Sequence, residues 1–144
     1  EDALDAETAA RAGVDLSRLL WVRLKPGGER DRGRDALRAL DLVLSAGGFG
    51  LAVVYLDAVH SRLDVAWPRI IQRAERSGAA VLLCAEQPVA GSFAAATLRC
   101  APGEAIWERV PGGRMLLRGR RLQIEVVRSR LGAPSGAEAV ALRK

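Results

Sequence analysis

Two short runs constrain this chain more than any other feature: LAVVYLD at residues 51–57 and AAVLLCAE at residues 79–86. Each is a continuous apolar stretch rather than an alternating one. A strand without a polar side has nothing to offer water, so such a run is expected to be buried on both faces, as a central parallel strand is. Between them lies PRIIQRAERSG, in which Pro68 suits the first turn of a helix and Gly78 suits its end. Upstream, from Arg34, Leu37, Leu40, Val43 and Leu44 recur at helical spacing until Gly47 and Gly48 stop the pattern. Strand, helix and strand joined by short connections are the signature of a βαβ unit, with helices laid over a parallel sheet.

The flanking regions extend this pattern. Asp5 is placed to cap a first helix reaching about Arg11, and Gly13 to close it. LSRLLWVRL then reads as a strand, and KPGGERDRG, residues 25–33, as a loop. After residue 93 the texture changes. AAATLRC, AIWERV, RMLLR and RLQIEVVRSR are strand-like pieces separated by the turn chemistry of APGE, VPGGR and RGR. Connections this short leave no room for crossover helices, so these strands are expected to be antiparallel. LQIEV alternates, which sets Leu122, Ile124 and Val126 on one face and Gln123 and Glu125 on the other.

Composition narrows the function classes. At 144 residues the chain fits a single domain, 1–144, with a βαβ part over 1–93 and an antiparallel part over 94–144. No apolar run approaches the roughly 18 residues of a membrane span. No secretory segment is seen and Cys84 and Cys100 are the only cysteines, which points to the cytoplasm rather than a disulfide framework. Both sit in apolar runs and read first as buried small residues, with a disulfide or metal pair as the alternative. His60 is the single histidine, too few for zinc chemistry. The net charge of +5 is uneven: residues 99–144 hold 10 Lys and Arg against 4 Asp and Glu, whereas residues 1–98 hold 12 against 13. A basic last third suits an acidic partner or a polyanion.

Four blocks of the chain, taken in order, resemble the RecA family of recombinases. EDALDAETAARAGVDLSRLL is similar to the segment ahead of a core strand, LAVVYLDAV to the Walker B strand, AAVLLCAEQ to the strand ending in Asn-Gln, and IEVVRSRLGAP to a late strand ending in two basic residues and Ala-Pro. The resemblance implies an α/β fold: a RecA-like three-layer core with a mixed sheet, parallel strands first and antiparallel strands in the last third. It also implies that the nucleotide-binding half lies upstream of Glu1. No GxxxxGK[ST] loop occurs in the chain; the Gly pairs at 27–28 and 47–48 read as turns. ATP and Mg²⁺ would therefore belong to the chain only together with such an upstream half.

Three remnants of ATPase machinery follow from the same resemblance. Glu1 matches the glutamate that polarises the attacking water, Asp57 the Walker B carboxylate that holds a Mg²⁺ water, and Gln87 the glutamine that senses the γ-phosphate. For Asp57 the alternative is a solvated acid at a strand end, and Gln87 is followed at once by Pro88. The stretches matching the DNA-binding loops, AVHSRLDVAW and PVAGS, are short and lack the basic groove with aromatic platforms that a single strand needs. Arg62 and Trp67 could contribute there, although Trp67 ahead of a Pro-started helix reads as a packing residue. Arg128 and Arg130 match two lysines that reach across the filament interface; they suit either a partner-facing edge or a solvated strand end. Arg114, Arg118, Arg120 and Arg121 form a basic cluster near a hairpin turn, in the simplest reading a solvated edge that resists strand pairing.

Within the RecA-like group the short loops look most like the ImuA family of accessory proteins in bacterial translesion synthesis. That likeness implies a non-catalytic adaptor of the DNA-damage response, in contact with an error-prone polymerase complex and with RecA. It implies weak or no DNA binding by the chain alone. Two other readings stay open: a fragment of a DNA-dependent RecA-type ATPase, and a SulA-like inhibitor of cell division. Apolar sheet surface left without its upstream half would favour pairing of the chain with itself.

Overall fold

The computed structural model describes residues 4–24, 29–56, 66–130, 132 and 138–143, with backbone alone for 29–31 and 138–143. The elements in order are α1 (Ala6–Arg11), a 3-10 turn (Leu16–Arg18), α2 (Glu29–Ala46), β1 (Leu51–Leu56), α3 (Trp67–Ser77), β2 (Ala80–Ala85), a 3-10 turn (Gly91–Phe93), β3 (Ala96–Arg109), β4 (Met115–Ser129) and β5 (Glu138–Arg143). The class is α/β, parallel first and antiparallel later. The strands are hydrogen-bonded as two separate sheets, β1-β2 and β3-β4-β5, rather than as one mixed sheet. By contacts the chain divides into two compact units, residues 21–94 and residues 1–20 with 95–144.

In the unit spanning 21–94, β1 and β2 pair in parallel, with Leu51 opposite Ala80 and Leu56 opposite Ala85. The crossover helix α3 has Pro near its start and ends at Gly78, whose φ of 69° lets its N–H and that of Ala79 reach back to the last-turn carbonyls. The buried core is Leu37, Leu40 and Leu44 of α2, Trp67 and Ile70 of α3, Ala79 and Ala90, with Val54, Val81 and Leu83 packed against it. The helical spacing read in α2 is therefore the spacing of the core. α2 begins at Glu29, inside the stretch expected to be a loop, because Glu and Arg are helix formers and charge alone does not break a helix.

Two expectations for this unit and the segment leading into it are overturned. β1 and β2 alternate in burial instead of being covered on both faces: Leu51, Val53 and Tyr55 are 57%, 58% and 63% exposed. The run is apolar on both sides, but α2 and α3 supply cover for one side only. Residues 19–24 of LSRLLWVRL belong to no strand, and the run opens with the 3-10 turn at 16–18. Asp15 takes N–H and hydroxyl bonds from Ser17 at 3.0 and 2.7 Å, and this local capping competes with extended backbone where the strand was expected to begin.

In the other unit α1 is capped as expected. Asp5 accepts from the Glu7 N–H at 3.1 Å and from the Thr8 hydroxyl at 2.5 Å, and Gly13 follows the helix with φ 92°. β3 and β4 form one long antiparallel hairpin, closed over Val110–Arg114, and β5 pairs on the far side of β4. APGE and RGR, expected to be turns, lie within continuous strands. At APGE two residues, Gly103 and Glu104, are accommodated against Arg121, a bulge in an edge strand where Pro102 is tolerated. At RGR the bulge falls on Arg118, between the pairs Trp107–Leu117 and Ile106–Gly119. Leu122, Ile124 and Val126 are half-buried while Gln123 and Glu125 are exposed, the alternation read from LQIEV.

Candidate functional site

Of the three residues matched to ATPase machinery, Glu1 and Asp57 lie outside the described residues, as do His60 and Arg62. Gln87 is exposed, in the bend that follows β2. PVAGS does not stand out as a loop: Val89 packs against the core, Ala90 is buried, and the 3-10 turn at Gly91 follows. Trp67 is a packing residue, 2% exposed at the head of α3, with an indole N–H that has no hydrogen-bond partner among the described residues. Among the described residues no group of three or more His, Cys, Asp or Glu could hold a metal ion, and no helix is long and apolar enough to cross a membrane.

The basic residues fall in different settings. Arg128 is half-buried and opposite Thr97 at the end of β4, and Arg130 is exposed just beyond it, its backbone N–H donating to the Ala95 carbonyl at 2.8 Å. Arg114, Arg118, Arg120 and Arg121 do not share one face. Directly paired residues of an antiparallel sheet lie on the same side, so Arg120 shares a face with Ala105 and Arg121 takes the other. Arg118, in its bulge, turns to Glu108, and that hydrogen bond holds its guanidinium above its ordinary pKa. Farther along the same charged face Arg99 pairs with Glu125 at 3.1 Å.

The register sets the Arg99–Glu125 and Arg118–Glu108 pairs on one face of the hairpin, with Leu116, and gathers most of its large apolar side chains on the other, with Arg109 and Arg120. On the apolar face Leu98, Cys100 and Pro102 stand opposite Val126, Ile124 and Leu122, and nearer the tip Trp107 and Arg109 stand opposite Leu117 and Met115. Cys100 is exposed there, contrary to the expectation of a buried thiol, because its face of the hairpin is open to solvent, as the exposure of Leu98 and Trp107 also shows; Cys84 is half-buried, and both are free thiols. In the parallel sheet a second open face holds Leu51, Val53 and Tyr55 with Leu82 and Cys84 opposite them in register.

Sequence reasoning missed one polar feature. Asp41 of α2 accepts from Arg69 Nε at 3.1 Å and Nη2 at 2.5 Å, with Arg73 Nε at 3.4 Å. The two arginines are one turn apart on α3, which their spacing announces, but nothing in the sequence identifies their partner on another helix. No family model matches the chain, and no curated protein matches it.

Proposed function

We propose that this chain is a non-catalytic RecA-like adaptor of the bacterial DNA-damage response, most similar to the ImuA accessory proteins of translesion synthesis. It acts in the cytoplasm by protein contact with an error-prone polymerase complex and with RecA. The observation that carries the reading is the order of four RecA-like blocks along one chain, with only the short stretches AVHSRLDVAW and PVAGS where the DNA-binding loops would lie. The open apolar faces of β1-β2 and of the β3-β4 hairpin support it, since an adaptor works by the surfaces it presents. The same faces support pairing of the chain with itself. ATP and Mg²⁺ are not assigned to these 144 residues, and DNA binding is assigned to partners rather than to this chain.

The test is recovery of partners by a tagged chain from its own host after DNA damage. Recovery of polymerase components and RecA is the expected result. Recovery of the tubulin-like division protein without any polymerase component would replace the reading with the SulA-like one. ATP turnover by the protein, lost on Asp57→Asn, would replace it with the ATPase reading.

A further inference from the structure

The tip of the β3-β4 hairpin combines two properties on one surface. Trp107, Met115 and Leu117 are 55%, 53% and 44% exposed, and register sets them on one face, Trp107 opposite Leu117 and Arg109 opposite Met115. Arg120, opposite Ala105, lies on the same face, and Arg114 stands at the turn. Residues 96–130 hold eight arginines and three glutamates, an excess equal to the +5 of the whole chain. Two of those glutamates are engaged on the opposite face, Glu108 by Arg118 and Glu125 by Arg99. Arg109, Arg114 and Arg120 form no ion pair with a described carboxylate. The face is thus apolar at its centre and cationic at its rim.

We infer that this face, Trp107, Met115 and Leu117 bordered by Arg109, Arg114 and Arg120, is a docking site for an acidic amphipathic segment of a partner protein. Trp, Met and Arg are the residue types enriched where proteins meet, with the apolar ones central and the charges peripheral. Complementarity of charge then selects an acidic partner and speeds its encounter. A single-stranded nucleic acid would want successive aromatic platforms along a basic groove. This face offers one ring, and its Met and Leu neighbours stack poorly on bases while packing well against Leu or Phe of a peptide.

The inference deepens the adaptor reading by naming a surface and the chemistry of its partner, and its test is separable from that reading. A random dodecapeptide display library is selected on the immobilised full chain, and enriched peptides are measured by fluorescence anisotropy at two salt concentrations. Enriched sequences are expected to interleave Asp or Glu with large apolar residues. Their affinity should fall at least tenfold on Trp107→Ala and on combined Arg109→Gln, Arg114→Gln and Arg120→Gln, with salt dependence lost only in the arginine variant. Circular dichroism matching the parent shows that these exposed substitutions leave the fold intact. Enrichment of neutral or basic peptides, absence of enrichment, affinity unchanged in the variants, or tighter binding and displacement by a (dT)20 oligonucleotide would each overturn it. If the variants lose the peptides yet still recover polymerase components from cells, the surface stands and its link to the adaptor role falls; if the peptides fail while recovery persists, only the surface falls.

Discussion

At Asp41 one carboxylate takes hydrogen bonds from Arg69 and faces Arg73 one turn farther along α3. Asp41 is only 14% exposed in its side chain whereas Arg69 is 67% exposed, so the pair is worth little more than a surface bridge on the arginine side. Asp41→Ala is expected to lower the stability of the 21–94 unit by about 1 kcal/mol, read by urea denaturation, because charge-assisted bonds are lost but Arg69 can turn to water. Gly103 is a stricter position. A Cβ there would stand 2.9 Å from the carbonyl oxygen of Arg121, a backbone atom that a side-chain rotation cannot move. Gly103→Ala should therefore weaken the hairpin by about 1–3 kcal/mol, the usual cost of overpacking, seen as faster amide exchange in β3 and β4. The Gly was visible in APGE, but a turn and a bulge demand the same residue, and only the facing strand distinguishes them.

The elements differ in how much of each was legible. α1, the core positions of α2, and α3 followed from local chemistry: an Asp cap, apolar residues at helical spacing, Pro at the start and Gly at the end. Their signals act within a few residues, so they survive in any context. α1 also carries a pH dependence. The Thr8 hydroxyl, followed by the backbone N–H groups of Glu7 and Thr8, lowers the pKa of Asp5 below its ordinary 3.8. A carboxyl depressed on folding contributes stability that is fully present above the unfolded value and is lost as pH falls through the folded one. The protection of the Glu7 and Thr8 amides, taken as the intrinsic exchange rate over the observed one at each pH, should thus fall as pH drops below about 4, and Asp5→Asn should remove that dependence while keeping most of the cap; an unchanged profile in the variant would contradict the assignment. The strand expected at LSRLLWVRL depended instead on a neighbour to pair with, and the local bonds of Asp15 to Ser17 took its first turn.

For the whole molecule the decisive fact is where apolar surface remains. The buried side chains of the described core all lie in the 21–94 unit, while Leu51, Val53, Tyr55 and Leu82 of that unit stay open to solvent. A face of this kind is a liability for a lone chain and an asset for one that binds. Val53→Lys with Leu82→Lys should leave the unit folded, since both side chains are already about half exposed, and should abolish self-association of the chain in light scattering at high concentration. A parent protein that stays strictly monomeric at every concentration would remove self-pairing from the proposal.

The sequence by itself determined the α/β class, the strand-helix-strand order over residues 51–85, the parallel-then-antiparallel sense of the chain and the alternation of LQIEV. These depend on periodicity, capping and connection length, which are properties of neighbouring residues. Only the tertiary structure decided that β1-β2 and β3-β4-β5 are separate sheets, that APGE and RGR bend strands instead of ending them, and that Arg120 parts from Arg118 and Arg121. It alone joined Trp107, Met115 and Leu117 to Arg109 and Arg120. The reason is physical: a bulge inserts one residue and turns every later side chain to the other face, so which residues share a surface depends on the partner strand as much as on their own spacing.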